Sequence, residues 1–473
     1  MRRRGLALVF LFAAALMAQS PADLKFPPLA PVKIPQVETY TLANGMRVYL
    51  LENHELPLVN GLALVRTGNL FDPPDKVGLA TLTGTVIRSG GTKVRTGDQL
   101  DEDLENIAAS VESAIDETSG EVSFSALTQN ADKVLAVFHD VLTEPEFRQE
   151  RIDLAQSQLR DQIARRNDDP EAIAGREFAN LVYGKDTPYG CQIEYATLAR
   201  IHRDDLLAFY KRYFFPANIM LAVYGDFSTP AMKRKLEGLF GGWNDRQPPV
   251  PPFPAVRGTP RPGIFLAVKE DVNQTVFSLG QLGGVLRDKS DPALEIMADI
   301  LGGGFSSRLF KRLRTELGYA YGIGADWAAE YDHPGLFEIS GSTKSGTTTE
   351  AIQVVREEVA RIRASEVTGQ ELETAKQTSL NSFVFRFDTP DKTLARVLRY
   401  RYYGYPDDFI FEYQKALGAV TGADVLRVAR QYLQPDAFTI VAVGNPRDFG
   451  KPLSTLGLPV HPLDLTIPPP AGR

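Results

Sequence analysis

Histidine and cysteine are nearly absent from this chain: five histidines and one cysteine in 473 residues. Zinc sites are built from His, Cys and acidic ligands brought together in clusters. Here His54, His139, His202, His333 and His461 are scattered, no two within a helical turn or two of each other. The lone Cys191 has no internal partner, which excludes a disulfide framework. It reads as a small buried residue and not as a nucleophile. A basic excess is also missing. The formal net charge is −7, which disfavours a nucleic-acid binder. Beyond the first residues no apolar run approaches the roughly 20 residues of a membrane helix, so no stable membrane insertion is expected. What remains is ordinary globular material, 43% hydrophobic and 23% charged, with length enough for two to four domains.

Residues 1–20 read as a secretory signal peptide. Arg2, Arg3 and Arg4 form the positive start, Leu6 to Ala18 is a continuous apolar run, and Ala18, Ser20 and Ala22 offer a small-residue cleavage site. The alternative is an uncleaved anchor. No cysteine stands near the cleavage site, which excludes a bacterial lipoprotein anchor. The expected destination is an oxidising compartment, most simply the bacterial periplasm or the outside.

Seven prolines between Asp245 and Gly263 favour extended, semi-rigid chain and forbid a regular helix. This Pro-rich linker, 245–263, divides the mature protein into an N-terminal domain, 21–244, and a C-terminal domain, 264–473. The halves resemble each other. Tyr213-Phe-Phe-Pro216 leads through Ile219 to Val223 and on to Gly225, and Tyr432-Leu-Gln-Pro435 leads through Phe438 to Val443 and on to Gly444, an offset of 219 residues. Asp169-Pro170-Glu171 and Thr389-Pro390-Asp391 recur at an offset of 220. Two elements in register argue for a duplicated domain.

Within the first half, Glu38 to Leu42 and Arg47 to Leu51 alternate around Asn44-Gly45, a hairpin signal. Leu58 to Arg66 and Glu121 to Leu127 read as strands. Leu79 to Arg88, Asp98 to Ala109 and Phe147 to Arg166 read as helices. In the second half Thr275 to Leu282 reads as a strand, Pro292 to Leu301 as a helix and Gly302-Gly303-Gly304 as a break. Runs of strands and runs of helices predict an α+β fold: two homologous domains, each a largely antiparallel sheet with helices packed on it.

The segments Leu42-Ala-Asn-Gly-Met-Arg-Val48, Thr187-Pro-Tyr-Gly190 and Phe209 to Asp226 resemble the pitrilysin or insulinase-like zinc peptidases, which include the mitochondrial processing peptidases. The resemblance is strongest at Gly302-Gly-Gly-Phe-Ser-Ser-Arg-Leu-Phe-Lys-Arg-Leu-Arg314 and Leu317-Gly-Tyr-Ala-Tyr321, and it covers nearly the whole mature chain. It implies that the two domains enclose a peptide-binding chamber. Active members carry an inverted zinc motif, H-x-x-E-H, on a helix, with a third glutamate ligand from a later helix. Placed on this sequence, the two histidine positions hold Thr81 and Thr85, the general-base position holds Gly84, and the third-ligand position, 77 residues after Thr85, holds Gln162. Threonine is a poor zinc ligand, a glutamine amide brings no charge, and glycine cannot take a proton. His54-Glu55, His139-Asp140 and the acidic run Asp101 to Glu105 read as solvated surface and offer no replacement.

The resemblance also implies roles for Arg314 and Tyr321, which in active members reach across the chamber to the zinc centre of the facing domain. An arginine can fork to a carboxylate or a peptide carbonyl, and a tyrosine hydroxyl can donate to an oxyanion. On residues alone they read equally as a helix-end cation and a core aromatic. Gly302, Gly303 and Gly304 lie near bound peptide in the family and read here as a flexible turn or hinge, since no phosphate-loop or dinucleotide pattern follows. The aromatic runs Phe383 to Phe387 and Arg399 to Tyr403 read as core and chamber lining. The expected protein is a non-catalytic subunit of a secreted heteromeric zinc metallopeptidase. It binds no cofactor itself, zinc residing in a homologous active partner, and it positions peptide or unfolded polypeptide, with Arg314 and Tyr321 acting in trans. The other readings are a peptide-binding scaffold with no proteolytic role and an autonomous peptidase with an unrecognised site.

Overall fold

The Asn44-Gly45 turn closes the first hairpin. Gly45 sits at φ 93°, in the left-handed region that glycine enters without steric cost. Strand β1 (Glu38–Thr41) therefore folds back on β2 (Arg47–Glu52), with Thr41 opposite Arg47. The structure, a computed structural model, describes residues 36–258, 261–383, 385 and 389–470. The leader read at residues 1–20 lies outside these, as do Val384, Arg386 and Phe387.

The first half continues with β3 (Leu58–Val65), α1 (Leu79–Ser89), α2 (Gly97–Glu105), β4 (Ser110–Ile115), β5 (Gly120–Leu127), α3 (Ala131–Thr143), α4 (Gln149–Arg165), α5 (Pro170–Tyr183), α6 (Tyr195–Leu198), α7 (Arg203–Tyr213), β6 (Ile219–Gly225) and α8 (Thr229–Phe240). Helix α2 stops short of the expected Ala109, because Ala108 takes φ 50°, a conformation through which a right-handed helix cannot run. The second half holds β7 (Gly263–Val268), β8 (Gln274–Leu282), β9 (Gly284–Val285), α9 (Asp291–Gly302), β10 (Ala320–Trp327), β11 (Ala329–Glu330) and β12 (Leu336–Lys344). It ends with α10 (Thr348–Ala364), α11 (Gly369–Phe383), α12 (Pro390–Tyr403), α13 (Phe409–Ala419), α14 (Gly422–Tyr432), β13 (Thr439–Gly444) and β14 (Val460–Pro462).

The duplication is visible in the topology. The first sheet runs β1-β2-β6-β3-β5-β4 and the second β14-β7-β13-β8-β12-β10. In each, one parallel pair (β2 with β6, β7 with β13) is followed by three antiparallel pairings. The two sheets differ at one margin: β1 arrives antiparallel through the hairpin, whereas β14 returns from the C-terminal end parallel to β7. Both halves are thus α+β, with mostly antiparallel sheets and helices packed on them.

One face of each sheet carries its own helices, and the main apolar cores lie there. The other face is covered by the opposite half. Helix α5 lays Ile173, Ala174, Phe178, Leu181 and Val182 on Ala267, Val441 and Val443 of the second sheet. Helix α12 returns the contact, with Leu394 and Leu398 on Tyr49, Leu51, Met220 and Ala222 of the first. The repeated dipeptides mark the starts of these two helices. Pro170 and Pro390 open α5 and α12, where a missing N–H costs nothing, and the Asp169 carboxylate accepts from the Ala172 amide at 2.7 Å. The polyproline segment is pinned to the first half: Arg212 donates to the carbonyls of Pro248 and Pro249 at 2.9 and 3.1 Å, and the Tyr189 hydroxyl to Pro254 at 2.6 Å. Among the described residues no helix is long and apolar enough to cross a membrane.

Candidate functional site

Helix α1 carries Thr81, Gly84 and Thr85. It begins without a local cap. Instead the Asp72 carboxylate, seven residues upstream, accepts from the amides of Gly78 at 2.8 Å and Ala80 at 2.9 Å and so supplies the acceptor that the orphan amides of a helix start require. Burial pushes the Asp72 carboxyl up to about 7, against the lowering effect of those amides. Thr81 and Thr85 stand one turn apart on the accessible face of the helix, the first half-buried and the second exposed. Their chemistry is turned inward: the Thr85 hydroxyl donates to the Thr81 carbonyl at 3.0 Å, the back-bonding habit of threonine in helices. Gln162 lies exposed on α4, beside the buried Ile163 that anchors that helix in the core.

Gly84 shows that the loss goes deeper than the exchange of ligands. It is buried against β4, and the Ser113 hydroxyl donates to its carbonyl at 2.6 Å. A Cβ at this position would stand 2.4 Å from the Ile115 nitrogen and 2.8 Å from the Ala114 carbonyl carbon. Real Cβ atoms do not approach backbone that closely, so a glutamate cannot be placed here unless α1 moves away from the sheet. The donor set of neutral hydroxyls, an amide and a glycine does not fit zinc, and no general base stands among them. Among the described residues no three His, Cys, Asp or Glu side chains gather to hold a metal ion. The exposed His54 pairs with Glu52 (2.9 Å) and Asp226 (2.6 Å), not with its neighbour Glu55, and ties the end of β2 to the end of β6. Both flanking carboxylates raise its pKa by hydrogen bonding. His139 contacts Asp140 at 3.2 Å and tilts against the ring of Phe240, 5.3 Å away. Cys191, expected buried, is only half-buried, because it follows α5 on a surface loop. Its thiol lies 3.5 Å from the Pro188 carbonyl, and burial raises its pKa, which keeps it protonated and unreactive.

The second-half segment is built differently. Gly302 ends α9 in close packing, since a Cβ there would lie 2.1 Å from the Ala325 nitrogen of β10. Gly303 packs on Asp299, and Gly304 turns outward at φ 148° with open space around it. After this turn the chain forms a π-helical stretch, Phe310–Glu316, and then β10, the end strand of its sheet. Tyr321 is the extra residue of a β-bulge, since Ala320 pairs with Thr343 and Gly322 with Ser342. Bulges re-aim side chains, and the Tyr321 ring is 76% exposed. Arg314 donates to the Tyr321 carbonyl at 2.9 Å, and its guanidinium lies 4.9 Å from the Tyr321 ring and 5.0 Å from that of Phe310. Phe305, 80% exposed, packs edge-on against Phe310 at 4.9 Å. The structure therefore brings Arg314, Tyr321 and the Gly302–Gly304 turn together, and places Thr81, Gly84 and Thr85 on a different element in the other half.

Sequence reading assigned no role to Phe305 or Phe310, although both lie inside the motif that carried the family resemblance. Their five-residue spacing beside a triple glycine was the available signal. It also missed Asp72, whose link to α1 is made only by the folded loop.

A two-fold repeat of α+β halves, with threonine where a peptidase holds its metal and glycine where it holds its general base, defines an inactive relative of the inverted-motif zinc peptidases. The chain belongs to the insulinase family: residues 47–188 match the family described as Insulinase (Peptidase family M16), and residues 200–379 match the Peptidase M16 inactive domain. It is 25% identical over 345 residues to a protein of Rickettsia bellii named an uncharacterized zinc protease, covering 71% of this chain and 80% of that protein. It is 23% identical over 371 residues to the non-peptidase homolog YmxG of Helicobacter pylori, covering 76% and 82%. Among solved structures, the peptidase M16 inactive domain from Pseudomonas fluorescens superposes with a TM-score of 0.76 at 20% identity, covering 86% of this chain and 98% of that one. A protease from Helicobacter pylori superposes with a TM-score of 0.77 at 18% identity, covering 87% and 100%. These two share the fold.

Proposed function

We propose that this chain is the non-catalytic subunit of a secreted zinc metallopeptidase, working in the bacterial periplasm beside a homologous partner that carries the intact inverted motif and its zinc. In this reading the leader is removed, the N-terminal domain (21–244) and the C-terminal domain (264–473) flank the Pro-rich linker, and together they supply half of a chamber for peptides or unfolded polypeptide. The observation that supports it most is the contrast between a zinc-motif helix sealed against β4 at Gly84 and an accessible Arg314–Tyr321 pair at the margin of the second sheet. A guanidinium has five N–H donors, and Arg314 directs one to the Tyr321 carbonyl, leaving others for a peptide carbonyl or carboxylate. The Tyr321 hydroxyl can donate to an oxyanion formed at the partner's zinc. An extended peptide can add to the end strand β10 through its backbone.

Co-expression with the zinc-motif homologue of the same organism tests this reading. The expected result is a heteromer whose peptide turnover falls at least tenfold with Arg314→Ala or Tyr321→Phe while the complex still assembles. An assembled heteromer with unchanged turnover removes the trans role and leaves the alternative, a peptide-binding scaffold. Stoichiometric zinc and chelator-sensitive cleavage by the isolated chain overturn the proposal altogether.

A further inference from the structure

His333 is the one histidine that the structure buries, at 4% exposure, and it does so where the two halves meet. It lies on the loop between β11 and β12. Its Nδ1 pairs with the Asp332 carboxylate at 3.0 Å. Its Nε2 faces the Glu117 carboxylate at 3.8 Å, and Glu117 belongs to the β4–β5 turn of the first half. The imidazole also lies on the ring of Tyr189, 4.5 Å between centroids, with Tyr183 at 6.4 Å; Tyr183 ends α5 of the first half and Tyr189 follows it. The Tyr183 hydroxyl donates to the Pro334 carbonyl, one residue beyond the histidine, at 3.0 Å. The same β4–β5 turn is held from α12: the hydroxyls of Tyr402 and Tyr403 bond the carbonyl and the hydroxyl of Thr118, the latter at 2.5 Å. Tyr331 stacks on Tyr403 at 4.7 Å.

The charges around the ring are of one sign. Asp332 and Glu330 come from its own loop and β11, Glu117 from the facing turn, and the phenols of Tyr183, Tyr189, Tyr402 and Tyr403 are neutral. Of the cations on α12, Arg399 pairs with Glu121 at 3.4 Å and Arg401 with Asp407 at 2.6 Å, and Arg287, ahead of α9, donates to the Tyr403 carbonyl at 3.0 Å. A neutral imidazole would leave Asp332 and Glu117 facing an uncharged ring in a partly desolvated seam, whereas an imidazolium can donate to Asp332 on one side and face Glu117 on the other.

We propose that His333 is a proton-operated clasp between the two halves, closed when the ring is charged and loosened when rising pH removes the proton. The direction of titration agrees: burial alone lowers the His333 pKa, but the Asp332 bond and the charges of Glu117, Asp332 and Glu330 raise it above its ordinary value. Burial raises the Glu117 pKa, with the His333 charge opposing. A group whose folded pKa is raised contributes stability that is complete below its unfolded value, about 6.5 for histidine, and is lost as pH rises through the folded value. The clasp is therefore fully closed below about pH 6.5 and opens as pH rises through the raised value of His333.

With only five histidines in the chain, imidazole resonances of the intact protein can be assigned by single substitution. His333 is expected to titrate above about 6.5, and Glu117→Gln to lower that value with the fold intact. Hydrogen exchange, expressed as protection relative to the intrinsic rate at each pH, then reads the seam. Protection of residues 115–121 and 331–335 is expected to fall at least tenfold between pH 6 and pH 9, with residues 131–143 of α3 unchanged. In His333→Gln the pH-dependent fall should vanish. A His333 that titrates at or below the ordinary value overturns the clasp, as does an equal fall in His333→Gln. If His333→Gln does not fold, an undiminished fall in Glu117→Gln overturns it in the same way.

Discussion

Helix α1 and the segment from Gly302 to Tyr321, the two stretches to which the family resemblance points, are built in opposite ways. On α1 the motif positions are taken up in packing: Gly84 lets the helix settle onto β4, and Thr85 turns its hydroxyl to its own helix. The margin of the second sheet is not closed in this way. Phe305 and Tyr321 remain mostly in water, although covering each such ring would gain roughly 2 kcal/mol. A bulge, an open glycine and a cation held between two rings keep that surface presented. The difference teaches that the two candidate regions are not closed to the same degree. One region is closed by packing against β4, and the other keeps large rings in water, the kind of exposed surface that marks interaction sites.

The largest expected effect tests the closed region. Gly84→Glu restores the family's general-base residue in name, but its Cβ runs into backbone of β4 and its carboxylate enters a buried seam. Backbone clash and an unpaired buried charge together should cost about 3 kcal/mol or more, read by urea unfolding of the full chain. A variant with undiminished stability would show that α1 can still lift off the sheet, and the contrast between the two regions would collapse.

Much of this was legible in the sequence because it rests on local chemistry. Asn44-Gly45 needs its left-handed turn, Pro170 and Pro390 open helices, and the Tyr-to-Gly repeats fall on β6 and β13. The threonines at 81 and 85 read as missing ligands only when the family's motif is laid on the chain. What was not legible is what depends on chain segments meeting across the fold. The exchange of α5 and α12 between halves carries no local signal, since an apolar helix face does not name the sheet it covers. The sequence also holds a third repeat that only the paired sheets make obvious: Glu121-Val-Ser-Phe-Ser125 on β5 and Glu338-Ile-Ser-Gly-Ser342 on β12 occupy equivalent strands. Cys191 was misplaced for a related reason. Its small apolar character suits a core, but the turn after α5 holds it at the surface.

A middle-sized effect sharpens the account of α1. Asp72 holds the helix start through two amides, and burial raises its carboxyl to about 7. A carboxyl raised on folding contributes stability that is full below its unfolded pKa, about 3.9, and is lost as pH rises through the folded value. Asp72→Asn keeps an acceptor for one amide and removes the titration. The variant should lose about 1 kcal/mol at acid pH and show a flatter stability profile between roughly pH 4 and pH 7. An unchanged slope would mean that the carboxylate stays ionised under its amides and that the cap works as an anion throughout.

The smallest expected effect bears on the exposed region. Phe305→Ser and Tyr321→Ser each remove a ring that is mostly in water, so stability should move by no more than about 0.5 kcal/mol. Peptide binding, followed by fluorescence anisotropy of a labelled unfolded polypeptide, should weaken several-fold in each. The two measurements separate the readings cleanly. If the rings are structural, through the Phe305–Phe310 contact and the cation held over Tyr321, stability falls with binding. If they are presented for a ligand, binding falls alone, and the exposed surface of the second half is what this chain has kept for function.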